Sequence, residues 1–537
     1  MVALAGTIRH LKNIFFLHTS TGLWVTAVTE TTAIEQQWKS HNQKALAGGG
    51  ASSTERQKAL GKLTARERID LLLDPESFTE FDRLAVSPLL EAPLFTDGVI
   101  TGFGTINGRN VAVYAQDFTI KGGSLGKQHA QKICKVMDMA AKVGCPIIGI
   151  IDSGGARIDE GIHALEGYGA IFKRNARYSG VIPQISIIVG PCAGGAVYSP
   201  ALTDFIFMTQ QTSQMFITGP QVIAEVVHQV ITKEELGGAQ VHARTSGVAH
   251  NIAATEAECF ENVKALLEYL PSSYLDGAPQ TQKQESTKNI AHLVPTNPNQ
   301  SYNIKDVIGA LVDDETFFEI QPLFASNIVT GFARMQGSVI GVVANQPLVK
   351  AGCIDIDASC KAARFIRFCD SFGIPVVTLV DTPGYLPGVE QEHQGIIKHG
   401  AKLLYAYAEA TVPLITIVLR KAFGGAYIVM GSKALGADIN YAWPNAQIAV
   451  LGAKAAVTIM HGKTLAGVDA EEKAALQQKL EAEYHEAFLN PFVAAENGYI
   501  DAIIEPAGTR EQVIRALALL RDKVEKLPKR KHSNLPL

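Results

Sequence analysis

The sequence has little of several features that assign a protein to a class at once. Its seven cysteines include no Cys-x-x-Cys pair, which argues against a zinc ribbon. No apolar run approaches the ~18 residues that a membrane-spanning helix needs. The formal net charge of −4 offers no general attraction to nucleic acid or anionic membranes. We therefore expect no nucleic acid and no membrane among the partners. The odd number of cysteines, most of them in apolar surroundings, indicates reduced thiols in a cytosol-like compartment. We expect a cytoplasmic location, or the mitochondrial matrix if the source is eukaryotic.

Familiar catalytic motifs are also missing. Gly462-Lys463-Thr464 resembles the end of a phosphate-binding loop, but Val457 stands where that loop requires glycine. There is no His-Glu-x-x-His motif, so we expect no bound metal. Asp152-Ser153-Gly154-Gly155 resembles the nucleophile loop of serine proteases, yet no β-barrel pattern is present to supply a triad. Followed by Ala156 and Arg157, this segment can equally be a ligand-binding turn.

The first 29 residues differ from the rest of the chain. They contain Arg9 and Lys12 but no acidic residue, as in a transit peptide. Polar residues at 18–21 interrupt the apolar stretch that a secretory signal would need. Another interpretation is that translation starts further downstream, for example at Val25. We therefore treat residues 1–29 as a leader or a misplaced start.

An internal repeat organises the remainder. Gly102 and Gly331 lie 229 residues apart, each within a Thr-Gly-Phe triplet, and Asp152 and Asp381 keep the same interval. The interval becomes 230 for two Gly-Gly-Ala triplets, at 194–196 and 424–426. Several landmarks at one interval indicate a duplicated domain. We predict an N-terminal domain at 30–285, a polar linker at 286–301 and a C-terminal domain at 302–537.

Each predicted domain alternates short apolar strands with helical patterns, which indicates an α/β fold with buried strands. In the first domain a helix is predicted over 127–143. Strands are predicted over 111–115, 146–151 and 185–189, and in the second domain over 340–344, 376–380 and 414–419.

The Gly-Gly-Ala triplets are the strongest candidates for chemistry. Each follows a buried strand and precedes an apolar stretch, so we predict a strand-to-helix turn. Glycines there let a ligand approach the backbone, and the free N–H groups of the turn can hold an oxyanion. A tight turn needed only for packing is the alternative, and the duplication favours the oxyanion site. Gly122, Gly123 and Ser124 form a further glycine-rich stretch, predicted to cradle a polar ligand.

Several segments together resemble one family, the carboxyltransferase β-subunits of biotin-dependent acyl-CoA carboxylases. The resemblance covers about residues 30–537, and within the family it is strongest to the propionyl-CoA type. The matching segments are Gly61–Ile69, Asp152–Ile158, Gly190–Pro200, Pro383–Gly388, Gly395–Lys402, Arg420–Tyr427 and Lys531–Leu537.

The resemblance implies a fold, an assembly and a partner. Each half is expected to have a crotonase-like (ββα-superhelix) fold within a homohexamer, with active sites between the N-terminal half of one subunit and the C-terminal half of another. Biotin is expected on a separate α-subunit that contains biotin carboxylase and the biotin carrier. A coenzyme A thioester is the implied second substrate, and no metal is implied for this chain.

The resemblance also assigns roles to residues. The N–H groups of Gly194, Gly195 and Ala196 are expected to hold the biotin carbonyl, and those of Gly424, Gly425 and Ala426 the thioester carbonyl. Biotin itself is then the base. The expected substrate-binding residues are Gly122, Gly123, Ser124, Gly154, Gly155, Ala156, Arg157, Tyr168, Tyr427 and Ile428.

The identity of the substrate stays open. Many propionyl-type members have aspartate where this chain has Ile428, at a position linked to acyl-chain preference. Propionyl-CoA is therefore favoured, with acetyl-CoA or butyryl-CoA as alternatives. The same chemistry in reverse would suit the carboxyltransferase subunit of a methylmalonyl-CoA decarboxylase or of a transcarboxylase. A free-standing crotonase-like hydratase or hydrolase would need a glutamate after one of the loops, and neither has one. A non-catalytic CoA-binding scaffold is disfavoured because both loops are intact.

Overall fold

A computed structural model describes residues 17–19, 22–24, 32–284 and 288–536. Of the predicted leader, only the antiparallel pair β1 (Leu17–Thr19) and β2 (Gly22–Trp24) falls within the described residues. The predicted boundary between domain and linker, at 285–286, lies outside them. The domain limits therefore stay predictions.

The N-terminal half is built on one mixed sheet. Its strands run in the order β10-β8-β7-β6-β5-β4-β3, and β9 also pairs with β7, outside this order. The pairs β3–β4 and β4–β5 are antiparallel and the others are parallel. The strands are β3 (Thr79–Phe81), β4 (Val99–Ile106), β5 (Arg109–Gln116), β6 (Ile147–Ser153), β7 (Gln184–Ala193), β8 (Phe205–Thr209), β9 (Gln214–Phe216) and β10 (Asn251–Ala253).

The C-terminal half repeats this sheet almost strand for strand. Its order is β11-β12-β13-β14-β15-β16-β18, and β17 extends the pairing of β15. The first two pairs are again antiparallel and the rest parallel. The strands are β11 (Phe318–Ile320), β12 (Ile328–Met335), β13 (Ser338–Asn345), β14 (Val376–Thr382), β15 (Leu414–Phe423), β16 (Ile439–Ala442), β17 (Gln447–Ala449) and β18 (Ala502–Ile503).

Helices cover both sheets. In the N-terminal half they are α1 (Ala33–Leu46), α2 (Ala51–Ala59), α3 (Ala65–Leu72), α4 (Lys127–Val143), α5 (Ile162–Tyr178), α6 (Tyr198–Leu202), α7 (Pro220–Val226), α8 (Lys233–Gly237), α9 (Ala239–Arg244) and α10 (Glu256–Leu267). In the C-terminal half they are α11 (Ile304–Leu311), α12 (Ile356–Ser371), α13 (Val389–His393), α14 (Ile396–Glu409), α15 (Gly424–Val429), α16 (Ala453–Ala466), α17 (Ala470–Phe488), α18 (Phe492–Glu496) and α19 (Thr509–Leu519).

The sequence patterns explain these elements. Every residue of β6 and β14 is buried, as expected for parallel strands covered on both faces. Helix α4 has the predicted bounds and ends at Gly144, whose left-handed conformation (φ 69°) closes the helix. The six predicted strands are confirmed. The structure extends β7 and β15 as far as the Gly-Gly-Ala loops, beyond the predicted ends at 189 and 419.

The two halves share a core. One cluster of buried side chains includes residues of both halves, with aromatic rings at its centre. The Phe205 ring from the N-terminal half lies 4.7 Å from Phe368 and 6.1 Å from Phe332, centroid to centroid. Tyr269 stacks on Phe332 at 6.2 Å. The duplicated halves therefore support each other through apolar packing. Within the described residues, no helix is both long and apolar enough to span a membrane.

Candidate active site

The strands that lead into the Gly-Gly-Ala loops are distorted at the same place in both halves. Between β6 and β7 the parallel register shifts between the pairs Ile151–Ile188 and Ser153–Cys192. Between β14 and β15 it shifts between Val380–Val418 and Thr382–Ala422. In each case the second strand of the pair, β7 or β15, has two extra residues, so it bends just before its loop.

The first loop follows this bend directly. Gly194 has φ 64°, a left-handed conformation that favours glycine, and 194–197 form a 3-10 turn that continues into α6. A Cβ atom at Gly195 would meet nothing closer than Tyr168 Cδ2, at 3.8 Å. The backbone here is approachable, and the first N–H groups of a helical turn have no partners within the turn.

The second loop has the same form. Gly424 has φ 56° and begins α15. Gly425 is exposed, and a Cβ atom there would meet nothing closer than Tyr385 Cε2, at 3.9 Å. Both helical segments are short, so the backbone N–H groups of the loops, rather than a long helix dipole, would hold an oxyanion.

The predicted residues 122–124 and 154–157 lie together beside the first loop. The N–H of Gly154 donates to the carbonyl of Gly122 (2.9 Å), and the Ser153 hydroxyl donates to the carbonyl of Gly123 (2.7 Å). The N–H of Leu125 donates to the carbonyl of Gly155 (2.9 Å). A Cβ atom at Gly155 would lie 2.8 Å from the carbonyl oxygen of Ala193, next to the first loop. The structure thus joins three glycine-rich segments into one surface.

Comparison with known proteins identifies the family. The protein-family model of the carboxyl transferase domain matches residues 56–535 of the sequence. The propionyl-CoA carboxylase beta chain of Cereibacter sphaeroides is 53% identical over 513 residues, which cover 94% of this chain and 99% of that relative. The chain belongs to the carboxyl transferase family. Another relative is the methylmalonyl-CoA decarboxylase subunit alpha of Veillonella parvula, 52% identical over 506 residues (92% of this chain, 97% of the relative).

A solved carboxyl transferase structure has the same architecture. The transcarboxylase 12S, described as a hexamer and solved with methylmalonyl-coenzyme A bound, has a TM-score of 0.91 and 46% identity. The match covers 95% of this chain and all of that one. The predicted duplicated crotonase-like α/β fold is confirmed, and so is the predicted biotin-dependent carboxyltransferase activity.

Arg157 occupies a different setting from the other predicted site residues of this carboxyl transferase. Its side chain is buried, and one nitrogen donates both to Asp97 (2.6 Å) and to Glu160 (2.7 Å). Another nitrogen donates to the carbonyl of Ser124 (3.0 Å). In the described chain Arg157 therefore fixes the glycine-rich surface from beneath, and any contact with substrate stays a prediction.

The three remaining predicted residues lie beside the loops. Tyr168 is buried under the first loop, and burial raises the pKa of its hydroxyl. Tyr427 is half-buried on α15, and Ile428 next to it is 44% exposed. Ile428 thus presents apolar surface beside the second loop, where an acyl chain could lie.

Sequence reasoning missed two groups of residues at this site. Tyr385, within the recognised segment 383–388, packs beside Gly425, and burial raises its pKa to about 12, so it stays a neutral phenol at physiological pH. Lys62 and Arg68, within the recognised segment 61–69, donate to the buried Asp152 carboxylate at 2.7 Å and 2.8 Å. In both cases the signal was the segment itself, whose residues had no assigned role.

Metal chemistry finds no support among the described residues. No group of three or more His, Cys, Asp or Glu side chains in them is arranged to hold a metal ion. The cysteines are all free thiols. That the chain binds no metal stays a prediction.

Proposed function

We propose that this carboxyltransferase moves a carboxyl group between carboxybiotin and the α-carbon of a short-chain acyl-CoA, with propionyl-CoA as the preferred substrate. The observation that carries this proposal is the pair of Gly-Gly-Ala loops at equivalent places in the two halves. The transfer produces two anionic oxygens, one on the biotin ureido group and one on the thioester enolate. Two similar but separate backbone sites suit such a reaction.

The residues then have defined tasks. The N–H groups of 194–196 hold the ureido carbonyl, and those of 424–426 hold the thioester carbonyl as it becomes an enolate oxygen. Biotin supplies the carboxyl group and, through its freed ureido nitrogen, the base that takes the α-proton. The glycine-rich surface around 122–124 and 154–157 binds substrate, and Tyr168 and Tyr427 line the loops. The chain itself thus contributes position and electrostatics, and no side-chain base is needed.

Substrate choice is assigned to the neighbourhood of α15. Ile428 is partly exposed beside the second loop and offers apolar contact to an acyl chain. One methylene in such a pocket changes selectivity by only about 10–200-fold. Acetyl-CoA and butyryl-CoA are therefore expected to react more slowly than propionyl-CoA rather than not at all.

The proposal includes partners. Relatives named beta chains imply a companion subunit, and we assign to it the biotin carboxylase and the biotin carrier. The hexamer described for transcarboxylase 12S supports a homohexamer here, with each active site shared between the N-terminal half of one subunit and the C-terminal half of another. A cytoplasmic location is proposed, or the mitochondrial matrix in a eukaryote, as for the human relative named mitochondrial.

A second candidate is the same subunit working in the opposite direction. The Veillonella parvula decarboxylase subunit is about as similar as the carboxylase beta chains. The partner distinguishes the two, because a decarboxylase would pair with a membrane subunit and a carboxylase with a biotin carboxylase.

The test is co-purification of the chain with its biotinylated partner, followed by measurement of labelled bicarbonate incorporation into acetyl-, propionyl- and butyryl-CoA. ATP-dependent incorporation, fastest into propionyl-CoA, is expected. No incorporation into any of the three with a biotinylated partner present would contradict the proposal. Incorporation fastest into another acyl-CoA would correct the substrate alone.

A further inference from the structure

A buried aspartate lies at the register shift in each half. Asp152 falls between the pairs on either side of the β6–β7 shift, and Asp381 does so at the β14–β15 shift. Both side chains are almost fully buried. Each aspartate therefore faces the extra residues of the strand that bends into a Gly-Gly-Ala loop.

In the N-terminal half the compensating cations come from outside the sheet. The Asp152 carboxylate accepts from Lys62 (2.7 Å) and from Arg68 (2.8 Å), both of which precede the sheet in sequence. The bend has glycine at 190, and a Cβ atom there would lie 1.9 Å from Asp152 Oδ1 and 2.8 Å from Lys62 Nζ. The missing side chain of Gly190 thus makes room for the carboxylate and the ammonium group.

In the C-terminal half the bend supplies its own cation. Arg420 stands 230 residues after Gly190, which is the interval that separates the two loops. Its Nε donates to Asp381 (3.0 Å), and the backbone N–H of Lys421 donates to the same carboxylate (3.1 Å). Arg420 also donates to the carbonyls of Asn297 and Gln300, within the predicted linker.

The two equivalent aspartates are thus neutralised by cations from different places in the two halves. A buried carboxylate costs free energy unless it is paired. Retaining it twice, with separate solutions for its charge, indicates that the carboxylate itself is required. Its position suits a role in shaping the loops, because the backbone carbonyls of Asp152 and Asp381 also lie against the turns at Gly123 and Gly352.

We propose that Asp152 and Asp381 are positioning residues, which fix the bend of β7 and of β15 so that the N–H groups of the following Gly-Gly-Ala loop converge on one oxygen. The inference rests on the proposed function. A displacement of about 1 Å in such a site can lower the rate about 100-fold. Loss of the carboxylate should therefore reduce kcat more than it changes KM.

The test compares Asp381→Asn with Asp313→Asn. Asp313 is a matched control because it is equally buried and also accepts from an arginine (Arg510, 2.5 Å) and from backbone N–H groups, at the turn 336–337. The assay is transfer of the carboxyl group from methylmalonyl-CoA to free biocytin, which breaks the C–C bond, forms a C–N bond and returns a proton to the α-carbon. It needs only this chain.

Asp381→Asn is expected to lower kcat about 10–100-fold with KM for both substrates changed by less than about threefold. Asp313→Asn should lower the melting temperature without that loss of kcat. Equal losses of kcat in the two variants, or a wild-type kcat in Asp381→Asn, would overturn the proposal.

Two further measurements keep the proposal testable whatever the assay shows. Hydrogen exchange in peptides over 421–430 should be faster in Asp381→Asn and unchanged in Asp313→Asn, and this readout does not depend on the substrate. If the wild-type chain transfers nothing, the proposed function fails while hydrogen exchange still decides the positioning role. If Asp381→Asn does not fold, Asp381→Glu replaces it, because it keeps a negative charge for Arg420 and moves the carboxylate by one methylene. A wild-type kcat in Asp381→Glu would then overturn the proposal.

Discussion

At the scale of single residues, the proposed function assigns the chemistry to backbone N–H groups rather than to side chains. Gly425→Val should abolish turnover, because a branched side chain over the loop blocks approach of the thioester oxygen. Loss of one such donor typically costs about 100–1,000-fold in kcat. Folding should be retained, since a Cβ atom at 425 meets nothing within 3.8 Å.

Gly309→Val on α11 is the matched control, because a Cβ atom there also meets open space. Both variants are compared by kcat and by melting temperature. A wild-type rate in Gly425→Val would exclude the second loop from the reaction.

Ile428 provides a second prediction at this scale. Ile428→Asp replaces apolar surface on α15 with a charge, which should weaken binding of longer acyl chains most. We expect the ratio of kcat/KM for butyryl-CoA to propionyl-CoA to fall by about tenfold. Leu519→Asp, at an exposed position of α19, is the control. An unchanged ratio would place acyl selectivity elsewhere.

At the scale of elements, α3 is tied to the sheet by buried charges. Arg68 is fully buried and donates to Glu256 (2.7 Å) as well as to Asp152. Arg68→Met leaves two buried carboxylates short of a partner, which should lower the free energy of unfolding by about 3–5 kcal/mol. Lys58→Met, which removes an exposed pair with Glu67, should cost about 1 kcal/mol or less.

Denaturant unfolding of both variants measures the difference. Costs within error of each other would show that the α3 network is not a major source of stability.

How far the sequence predicts these elements depends on how far apart along the chain the interacting residues lie. The repeat, the parallel strands and α4 follow from local pattern and from comparison of one half with the other. The Gly-Gly-Ala loops are located by the repeat and by the glycine pair that follows an apolar strand in each half. The register shifts depend on strand pairs such as Ile151–Ile188 and Val380–Val418, and the Lys62–Asp152 contact joins residues 90 positions apart. No periodicity encodes either. Arg157 illustrates the same limit, because its buried ion pairs with Asp97 and Glu160 follow from no local pattern. Its contact with substrate stays a prediction.

At the scale of the whole molecule, the interface between the two halves should lose stability in acid. His250 packs against Phe205, its backbone carbonyl accepts from Gln321 of the other half, and its Nδ1 accepts from the N–H of Ile206 (3.1 Å). Burial, and then the nearby Arg364, lower its pKa from 6.5 to about 3. The folded chain therefore keeps this imidazole neutral where the unfolded chain protonates it.

Proton linkage determines whether this lowered pKa stabilises or destabilises the fold as the pH changes. Between pH 6.5 and about 3 the unfolded chain binds the extra proton, so stability is complete above pH 6.5 and falls as the pH decreases. The slope from this residue is about 1.4 kcal/mol per pH unit. His250→Gln, which keeps an acceptor, should flatten the profile relative to His163→Gln on the exposed face of α5. If the two variants give parallel profiles of melting temperature against pH, His250 is not the source of the acid sensitivity of this interface.

The different sources of charge behind the two loops also bear on redesign of the chain. In the N-terminal half the cations come from the segment that precedes the sheet, and in the C-terminal half Arg420 comes from the bent strand itself. The two halves are therefore not interchangeable. The sheet of the C-terminal half contains the cation that pairs with Asp381, namely Arg420, whereas the sheet of the N-terminal half depends on residues 57–68, which precede it. A chimera that contains only the sheet of the N-terminal half would leave the buried Asp152 carboxylate without its cations. A tandem of two C-terminal halves would keep Arg420 beside each Asp381.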